Sequence, residues 1–500
     1  MTDALPPPFD QLAPAVVWKH FATLCRIPRQ SKQEAELREH LRQWAEGLGL
    51  ATSVDATGNL LVRKPASAGR ESSPGAVLQG HLDMVCQKNS DSAHDFSKDP
   101  IRPVLRDDGY LAAQDTTLGA DNGIGVAMIL AVLEEPTLVH GPIEALFTID
   151  EEAGMGGAHG LAPGLLQGRL MLNLDTEEWS EFYLGCAGGL DVNVSRPGHA
   201  DAVPPGHAAV RLSLRGLRGG HSGVNIHEER GNAIKLLVRV LQTLRLEGCD
   251  EPWRLASLRG GTARNALPRE AFAVVTVPAA HAGLITEQAT RWEALLRQEI
   301  GDVEPGLSLG VVPDTAEQVM SLAEQAVWLN SLQAAPHGVR RMSRRVPGVV
   351  ETSNNLGMVD LQPTGGSCNF MVRSLIDSGS QALADEILSL FRLSGTQAEA
   401  SGHYPGWTPN PDSSLLDICQ RVYRDEFGGE SSVQVIHAGL ECGIIAAKYP
   451  GMDIVSFGPT IRGAHAPGEA VEVESVGRTW QLLRAILMAA SATSTTAVPG

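Results

Sequence analysis

Five residues of the types that bind divalent cations are spread along this 500-residue chain, and most of them follow a short, mostly apolar run. Residues 76–78 lead into Gly80-His81-Leu82-Asp83, residues 143–149 into Asp150-Glu151-Glu152, and residues 170–174 into Asp175. Asp121 lies in Leu118-Gly119-Ala120-Asp121-Asn122, and His465 in Gly463-Ala464-His465, shortly after the apolar residues 454–457. Such runs read as strands. A chain that ends several such strands in potential ligands is restricted to folds that gather strand ends at one edge. The open α/β sheet does this, and its sites form at the carboxyl ends of the strands.

Two imidazoles and three carboxylates suit Zn²⁺, a borderline-soft ion that takes nitrogen and oxygen donors and keeps a position for water in catalytic sites. Two ions need more donors than five side chains supply singly, so one carboxylate must bridge. Asp121 is assigned that place, which would hold the ions about 3.5–4 Å apart. His81 and Asp175 then complete one ion, and Glu152 and His465 the other. Co²⁺ and Mn²⁺ share these ligand preferences, so the sequence does not choose among the metals. Asp83, two residues after His81 and on the same face of a strand, is placed to orient the imidazole through its second nitrogen. Glu151 is left over beside Glu152. It is assigned as general base, taking the proton of a metal-bridging water and passing it to a leaving amine.

Taken singly these motifs have ordinary readings: a hydrogen-bonded His-x-Asp pair, a solvated acidic run, a Gly-rich turn. In their order and contexts they resemble the M20 family of co-catalytic zinc metallopeptidases, and within it the aminoacyl-histidine dipeptidases (Xaa-His dipeptidase, peptidase D or β-alanyl-histidine dipeptidase). The resemblance runs over most of the chain. It is carried by Gly80-His-Leu-Asp-Met-Val-Cys-Gln-Lys88, Thr117-Leu-Gly-Ala-Asp-Asn-Gly-Ile-Gly125, Asp150-Glu-Glu-Ala-Gly-Met155, Asn173-Leu-Asp-Thr-Glu-Glu178, Gly219-Gly-His-Ser-Gly223 and His437-Ala-Gly-Leu-Glu-Cys-Gly443.

The resemblance implies an α/β zinc-peptidase catalytic domain, with a mixed sheet flanked by helices, interrupted by an α+β lid of two βαβ-type halves. It implies hydrolysis of unblocked dipeptides, Xaa-His included, with two Zn²⁺ as cofactors and a cis peptide bond after Asp121. It also implies that His221, in the Gly-Gly-His-Ser-Gly loop, donates to the tetrahedral intermediate. Asn265 and Arg373 match positions that hold the substrate backbone and its terminal carboxylate, for which an arginine fork is better shaped than a lysine; a surface ion pair is the other reading of Arg373. Glu441 is assigned to the free amine of the substrate, because charges at both ends of a pocket reject longer chains.

Composition fits such an enzyme and excludes other classes. A chain of this length exceeds one ordinary core, so two or three domains are expected. The formal charge of -18 disfavours nucleic acid, whose phosphates call for a basic surface. No stretch approaches the roughly 20 apolar residues that cross a bilayer, and no secretory leader pattern opens the chain, so a cytoplasmic protein is expected. The seven cysteines are odd in number and unclustered, which argues against a disulfide framework and against a cysteine metal site. Arg340, Arg341, Arg344 and Arg345 form a local basic cluster, read as a solvated loop or an interdomain contact.

Periodicity divides the chain. Residues 1–187 form the first part of the catalytic domain, with a helix over 32–48 and an apolar helix over 126–133 opened by Gly123 and Gly125. Residues 188–402 form the lid, in which strands at 210–214 and 272–277 alternate with helices at 232–244 and 285–300. A similar alternation over 307–312, 322–332, 370–376 and 382–391 suggests the second half. Residues 403–490 return to the catalytic domain, and 491–500 are read as a disordered tail.

An aminoacylase or carboxypeptidase of the same two-metal fold, acting on N-acylated or longer substrates, is the alternative. A metal-dead binding module would lack Glu151 or one of the five ligands, and none is lacking. A nucleotide enzyme built on Gly119-x-x-x-Gly123-x-Gly125 lacks both the Gly-x-Gly-x-x-Gly spacing and a P-loop lysine. A doubled lid would take the place of a dimer contact, while related enzymes pair, so monomer and homodimer both stay open.

Overall fold

The computed structural model describes residues 5–492 except 90, 247 and 250. The chain divides into two compact units. One comprises Met1–Gly185, Pro409–Val435 and Leu440–Gly500, and the other Cys186–Thr408 and Ile436–Gly439.

The first unit is built on an eight-stranded sheet. Its centre is four parallel strands in the order Ile143–Thr148, Ala76–His81, Leu170–Asn173 and Asp453–Ser456. Ala51–Val54 and Leu60–Lys64 add an antiparallel edge on one side, and Glu181–Cys186 and Ser432–Ile436 extend the other. Every residue of Ile143–Thr148 and of Ala76–His81 is buried, as expected for parallel strands covered on both faces, and this is why their sequences are largely apolar. The helix Ala120–Glu134 is apolar on all sides and buried from Asn122 to Leu133, as a helix packed inside a layered core must be. Gly125 near its start is a contact rather than a hinge: a Cβ there would lie 2.3 Å from the carbonyl oxygen of Leu174. A small four-stranded sheet joins Ile461–Arg462, Ala470–Glu472, Tyr110–Ala113 and Pro103–Leu105.

The second unit holds a nine-stranded sheet whose paired strands run antiparallel. One half runs strand His207–Arg215, helix Ala233–Thr243, strands Arg254–Gly260 and Ala271–Pro278, helix Ala282–Ile300, and strand Ser308–Asp314. Its spatial order puts the fourth strand first, then the first, third and second. The other half repeats both the element order and the spatial order with Gly188–Pro197, Leu322–Ala334, Val350–Gln362, Gly365–Ser374, Asp377–Leu393 and Gln397–Tyr404. Each is a ferredoxin-like βαββαβ unit. They join edge to edge through Arg254–Gly260 and Val350–Gln362, with Leu258 opposite Leu361. Asn232 and Ser321 cap their helices by accepting the N–H of Lys235 and Glu324, respectively.

The halves are nested rather than consecutive. The strand Gly188–Pro197 belongs to the second half, and the whole first half is inserted after it, so Ser308–Asp314 closes the first half where the periodicity of 307–312 suggested the opening of the second. The unit boundaries fall at Gly185/Cys186 and Thr408/Pro409, and Ile436–Gly439 returns to the second unit. Ser491 and Ala492 close the last helix, Val473–Ala492, instead of opening a tail, with Ser491 buried; residues 493–500 of that expected tail lie outside the described residues. Arg340 and Arg341 lie on the strand Gly338–Met342 and pair with Glu386 and Glu351. Among the described residues, no helix is long and apolar enough to cross a membrane.

Candidate metal centre

The parallel strands of the first unit end on one edge, and the ligands follow them. Ala76–His81 ends in His81, Ile143–Thr148 runs into Asp150-Glu151-Glu152, and Leu170–Asn173 leads to Asp175. Asp121 opens the buried helix, and the Asp121–Asn122 bond is cis. His465 sits in the loop between Ile461–Arg462 and Ala470–Glu472. Asp150 and His465 have left-handed backbone, φ 55° and 66°, a conformation that non-glycine residues rarely hold except where the surroundings impose it.

Asp121 stands between the two histidines. Its Oδ1 lies 3.1 Å from His81 Nε2 and its Oδ2 3.1 Å from His465 Nε2. His81 Nε2 is also 3.3 Å from Asp175 Oδ1, and His465 Nε2 is 3.1 Å from Glu152 Oε2. Two three-residue donor groups result, His81–Asp121–Asp175 and Asp121–Glu152–His465, sharing one carboxylate, with the donor atoms of each within 4.8 Å of one another. Glu151 approaches His81 and Glu152 within the same limit. The His81 side chain is 1% exposed and that of His465 53%, so the cluster is closed at the first histidine and open at the second.

Asp83 reaches two neighbours at once. Its Oδ1 is 3.4 Å from His81 Nδ1, while Oδ1 and Oδ2 accept the main-chain N–H groups of Glu151 and Glu152 at 3.0 and 3.1 Å. Ser31 donates a further hydrogen bond at 2.7 Å. Burial pushes the Asp83 carboxyl up, but its His81, Ser31 and Glu151 partners outweigh that and hold it at about 2. One side chain therefore accepts from the main chain of both glutamates and approaches His81, whose Nδ1 is also 3.2 Å from the main-chain oxygen of Asp83.

The donor set fits divalent cations. Burial raises Asp175 to about 6, with His81 opposing and Asp121 and Glu152 adding to the rise, and burial lifts Glu151 well above the carboxylate range. So many carboxylates cannot all be ionised together unless positive charge lies among them. Glu152 Oε1 is buried without a hydrogen-bond partner among the described residues, as a metal-facing oxygen would be.

Glu441 lies fully buried beneath this cluster. Its Oε2 accepts from Gln79 Nε2 at 2.7 Å and from Thr148 Oγ1 at 2.6 Å, and Oε1 has no partner among the described residues. The remaining three expected residues belong to the second unit and stand close to one another there. His221 Nδ1 accepts the N–H groups of Gly223 and Val224 at 3.2 and 3.0 Å, which puts the ring hydrogen on Nε2. That Nε2 is 3.4 Å from Arg373 Nη2, with this tautomer an approach of two donors rather than a hydrogen bond. Arg373 is 4% exposed, donates to Tyr404 Oη at 2.8 Å, and pairs with no carboxylate among the described residues, so it is not the surface ion pair of its alternative reading. The side chain of Asn265 is exposed, and its main-chain carbonyl accepts the N–H of Ser222.

The sequence matches the model of peptidase family M20/M25/M40 over residues 77–489. The chain belongs to the M20 peptidase family. It is 45% identical over 481 residues to the cytosol non-specific dipeptidase of Escherichia coli K12, covering 96% of this chain and 98% of that one. The crystal structure of aminoacylhistidine dipeptidase from Vibrio alginolyticus superimposes with a TM-score of 0.86 at 44% identity, covering 96% of this chain and 98% of that one. A tripeptidase from Staphylococcus aureus, at 17% identity and a TM-score of 0.55, shares the fold of this M20 peptidase.

Two residues of this M20 peptidase site went unremarked in the sequence. Glu469, four residues after His465, accepts the main-chain N–H groups of Leu118, Gly119, Ala120 and Asp121 at 2.7, 2.9, 2.7 and 3.2 Å. Arg29 is buried and donates to the carbonyl oxygens of Leu82, Asp83 and Gly119. Both act on main-chain groups of distant loops. A glutamate within Pro467-Gly468-Glu469 was the only available signal for the first, and Arg29 carries none.

Proposed function

We propose that this M20 peptidase is a two-metal dipeptidase that hydrolyses unblocked dipeptides, Xaa-His among them. The observation that carries the reading is Asp121, whose two carboxylate oxygens face two different histidines at 3.1 Å each. Identities of 45% to a dipeptidase and 44% to an aminoacylhistidine dipeptidase, each covering 96% of this chain, support the substrate class.

His81, Asp121 and Asp175 would hold one Zn²⁺, and Asp121, Glu152 and His465 the other; Co²⁺ or Mn²⁺ suits the same donors. Bound there, the cations would lower the pKa of a water and polarise the scissile carbonyl. Glu151 takes the proton of the attacking water and delivers it to the nitrogen of the leaving amine. Its high proton affinity in a buried, carboxylate-rich setting supports that role. Asp83 orients His81 and holds the main chain of Glu151 and Glu152. His221, with its hydrogen on Nε2, is the donor to the developing oxyanion. Arg373 takes the terminal carboxylate, Asn265 the substrate backbone, and Glu441, through Oε1, the free amine. The second unit is read as the lid. The enzyme is read as cytoplasmic, a reading supported by the cytosolic designation of its Escherichia coli relative, and as active as a monomer or homodimer.

Hydrolysis of Ala-His, β-Ala-His, Ala-Ala, N-acetyl-Ala and Ala-Ala-His by metal-loaded protein tests the reading. Cleavage confined to the free dipeptides is the expected result. Cleavage of N-acetyl-Ala or of Ala-Ala-His in their place would move the function to an aminoacylase or to a peptidase of longer chains.

A further inference from the structure

Four residues, Ile436–Gly439, belong to the second unit although the chain on either side of them belongs to the first. His437 lies in this stretch, 6% exposed, with its Nε2 2.7 Å from Ser353 Oγ. Ser353 is 1% exposed, and its hydroxyl has no other acceptor among the described residues. The hydroxyl therefore donates, Nε2 accepts, and the ring hydrogen sits on Nδ1. That Nδ1 is buried without a hydrogen-bond partner among the described residues. Burial, with Arg373 and His221 adding to it and a main-chain contact at Val350 opposing, lowers the imidazole to about 3, which favours the neutral ring.

Gly223 ties this stretch to Arg373. A Cβ built on Gly223 would lie 1.9 Å from the carbonyl oxygen of His437 and 3.0 Å from Arg373 Nε. Only a glycine lets the His437 main chain and the guanidinium approach the same point. Arg373 Nε is a second buried nitrogen without a partner among the described residues. The cluster thus offers Arg373 Nε–H and His437 Nδ1–H, with no carboxylate among the described residues to receive them. Two buried, unused donors around a guanidinium are the requirement of a carboxylate ligand, which accepts several hydrogen bonds at once.

We propose that His437, through Nδ1–H, joins Arg373 in binding the C-terminal carboxylate of the substrate and is a specificity-determining residue. The proposal rests on the dipeptidase reading and adds to it a group that selects a free carboxylate over a blocked one. Ser353 is then a positioning residue, since its hydroxyl fixes which ring nitrogen carries the hydrogen.

The test compares zinc-loaded wild type, His437→Asn and His437→Gln on Ala-Ala and on Ala-Ala amide, with thermal melting of each protein. Asparagine places an N–H close to the position of Nδ1, whereas glutamine reaches toward Ser353 and leaves the Nδ1 position empty. The expected result for His437→Gln is a roughly tenfold or greater rise in KM for Ala-Ala with kcat nearly kept, the size of a lost hydrogen bond to a charged group. Ala-Ala amide should be unaffected, and His437→Asn should stay near wild type on both. An equal loss on acid and amide, an unchanged KM in His437→Gln, or loss of the fold in both variants would overturn the proposal. A wild type that fails to cleave Ala-Ala would instead sink the dipeptidase reading, and this inference with it, before any variant is compared.

Discussion

Glu469 accepts the main-chain N–H of Asp121, the residue shared by the two donor groups, and those of the three residues before it. A carboxylate that takes four consecutive N–H groups fixes the direction of the loop and hence of the Asp121 side chain, in the way outer partners fix metal ligands. Replacing Glu469 by Ala should leave the fold intact and weaken Zn²⁺ binding by about 10–100-fold, the usual effect of removing such a partner. Competition with a chromophoric chelator would read this directly, and an unchanged zinc affinity would remove Glu469 from the account.

Glu151 forms a third donor group with His81 and Glu152 but belongs to neither of the two groups that share Asp121. Glu151→Gln should therefore keep its zinc and lose about 10²–10⁴-fold in kcat, the contribution of a positioned general base. Zinc content and kcat measured on the same preparation separate the two roles. Loss of metal in parallel with activity would make Glu151 a ligand.

Arg373 pairs with no carboxylate among the described residues although it is almost wholly buried. Arg373→Lys keeps the charge and loses the planar fork. KM for free dipeptides should rise by about tenfold or more while kcat changes little, as fits the loss of a charged hydrogen bond. A fall in kcat with KM unchanged would place Arg373 with the reacting atoms instead.

The metal-free protein should lose stability as pH rises from about 5 to 8. Burial raises Asp175 to about 6 and Glu441 to about 7. A carboxyl raised in the folded state favours folding below its unfolded pKa, and that contribution is lost as pH rises through the folded value. His465 shifts upward too, chiefly through its hydrogen bonds to Asp121 and Glu152, and its contribution is also lost with rising pH above its unfolded pKa. Zn²⁺ favours the deprotonated carboxylates and should reverse the trend. Melting temperatures with and without a chelator across this range would show a gap that widens with pH, whereas parallel curves would contradict the electrostatic account.

The parts of the site legible in the sequence were those carried by local pattern. His81, Asp150 to Glu152 and Asp175 follow apolar runs, and those runs are the buried parallel strands whose ends form the site. The apolar helix after Asp121 was visible because it is buried all round. What escaped depends on main-chain partners far away in sequence. Glu469 and Arg29 bind N–H and C=O groups that every residue has, so no residue type marks their targets. The nesting of the two βαββαβ halves was hidden because Gly188–Pro197 and Gln397–Tyr404, neighbours in the sheet, lie at opposite ends of the insertion. The return of Ile436–Gly439 is four residues long, too short to carry any periodicity.

The central claim, that one carboxylate serves two ions, is tested most directly by calorimetric titration of the metal-free protein with Zn²⁺, for wild type and for Asp121→Ala. The account predicts two ions per chain in the wild type and a weakening of both in the variant, because each ion loses the ligand it shares. A wild type that binds a single ion, or a variant that keeps one ion at wild-type affinity, would contradict it.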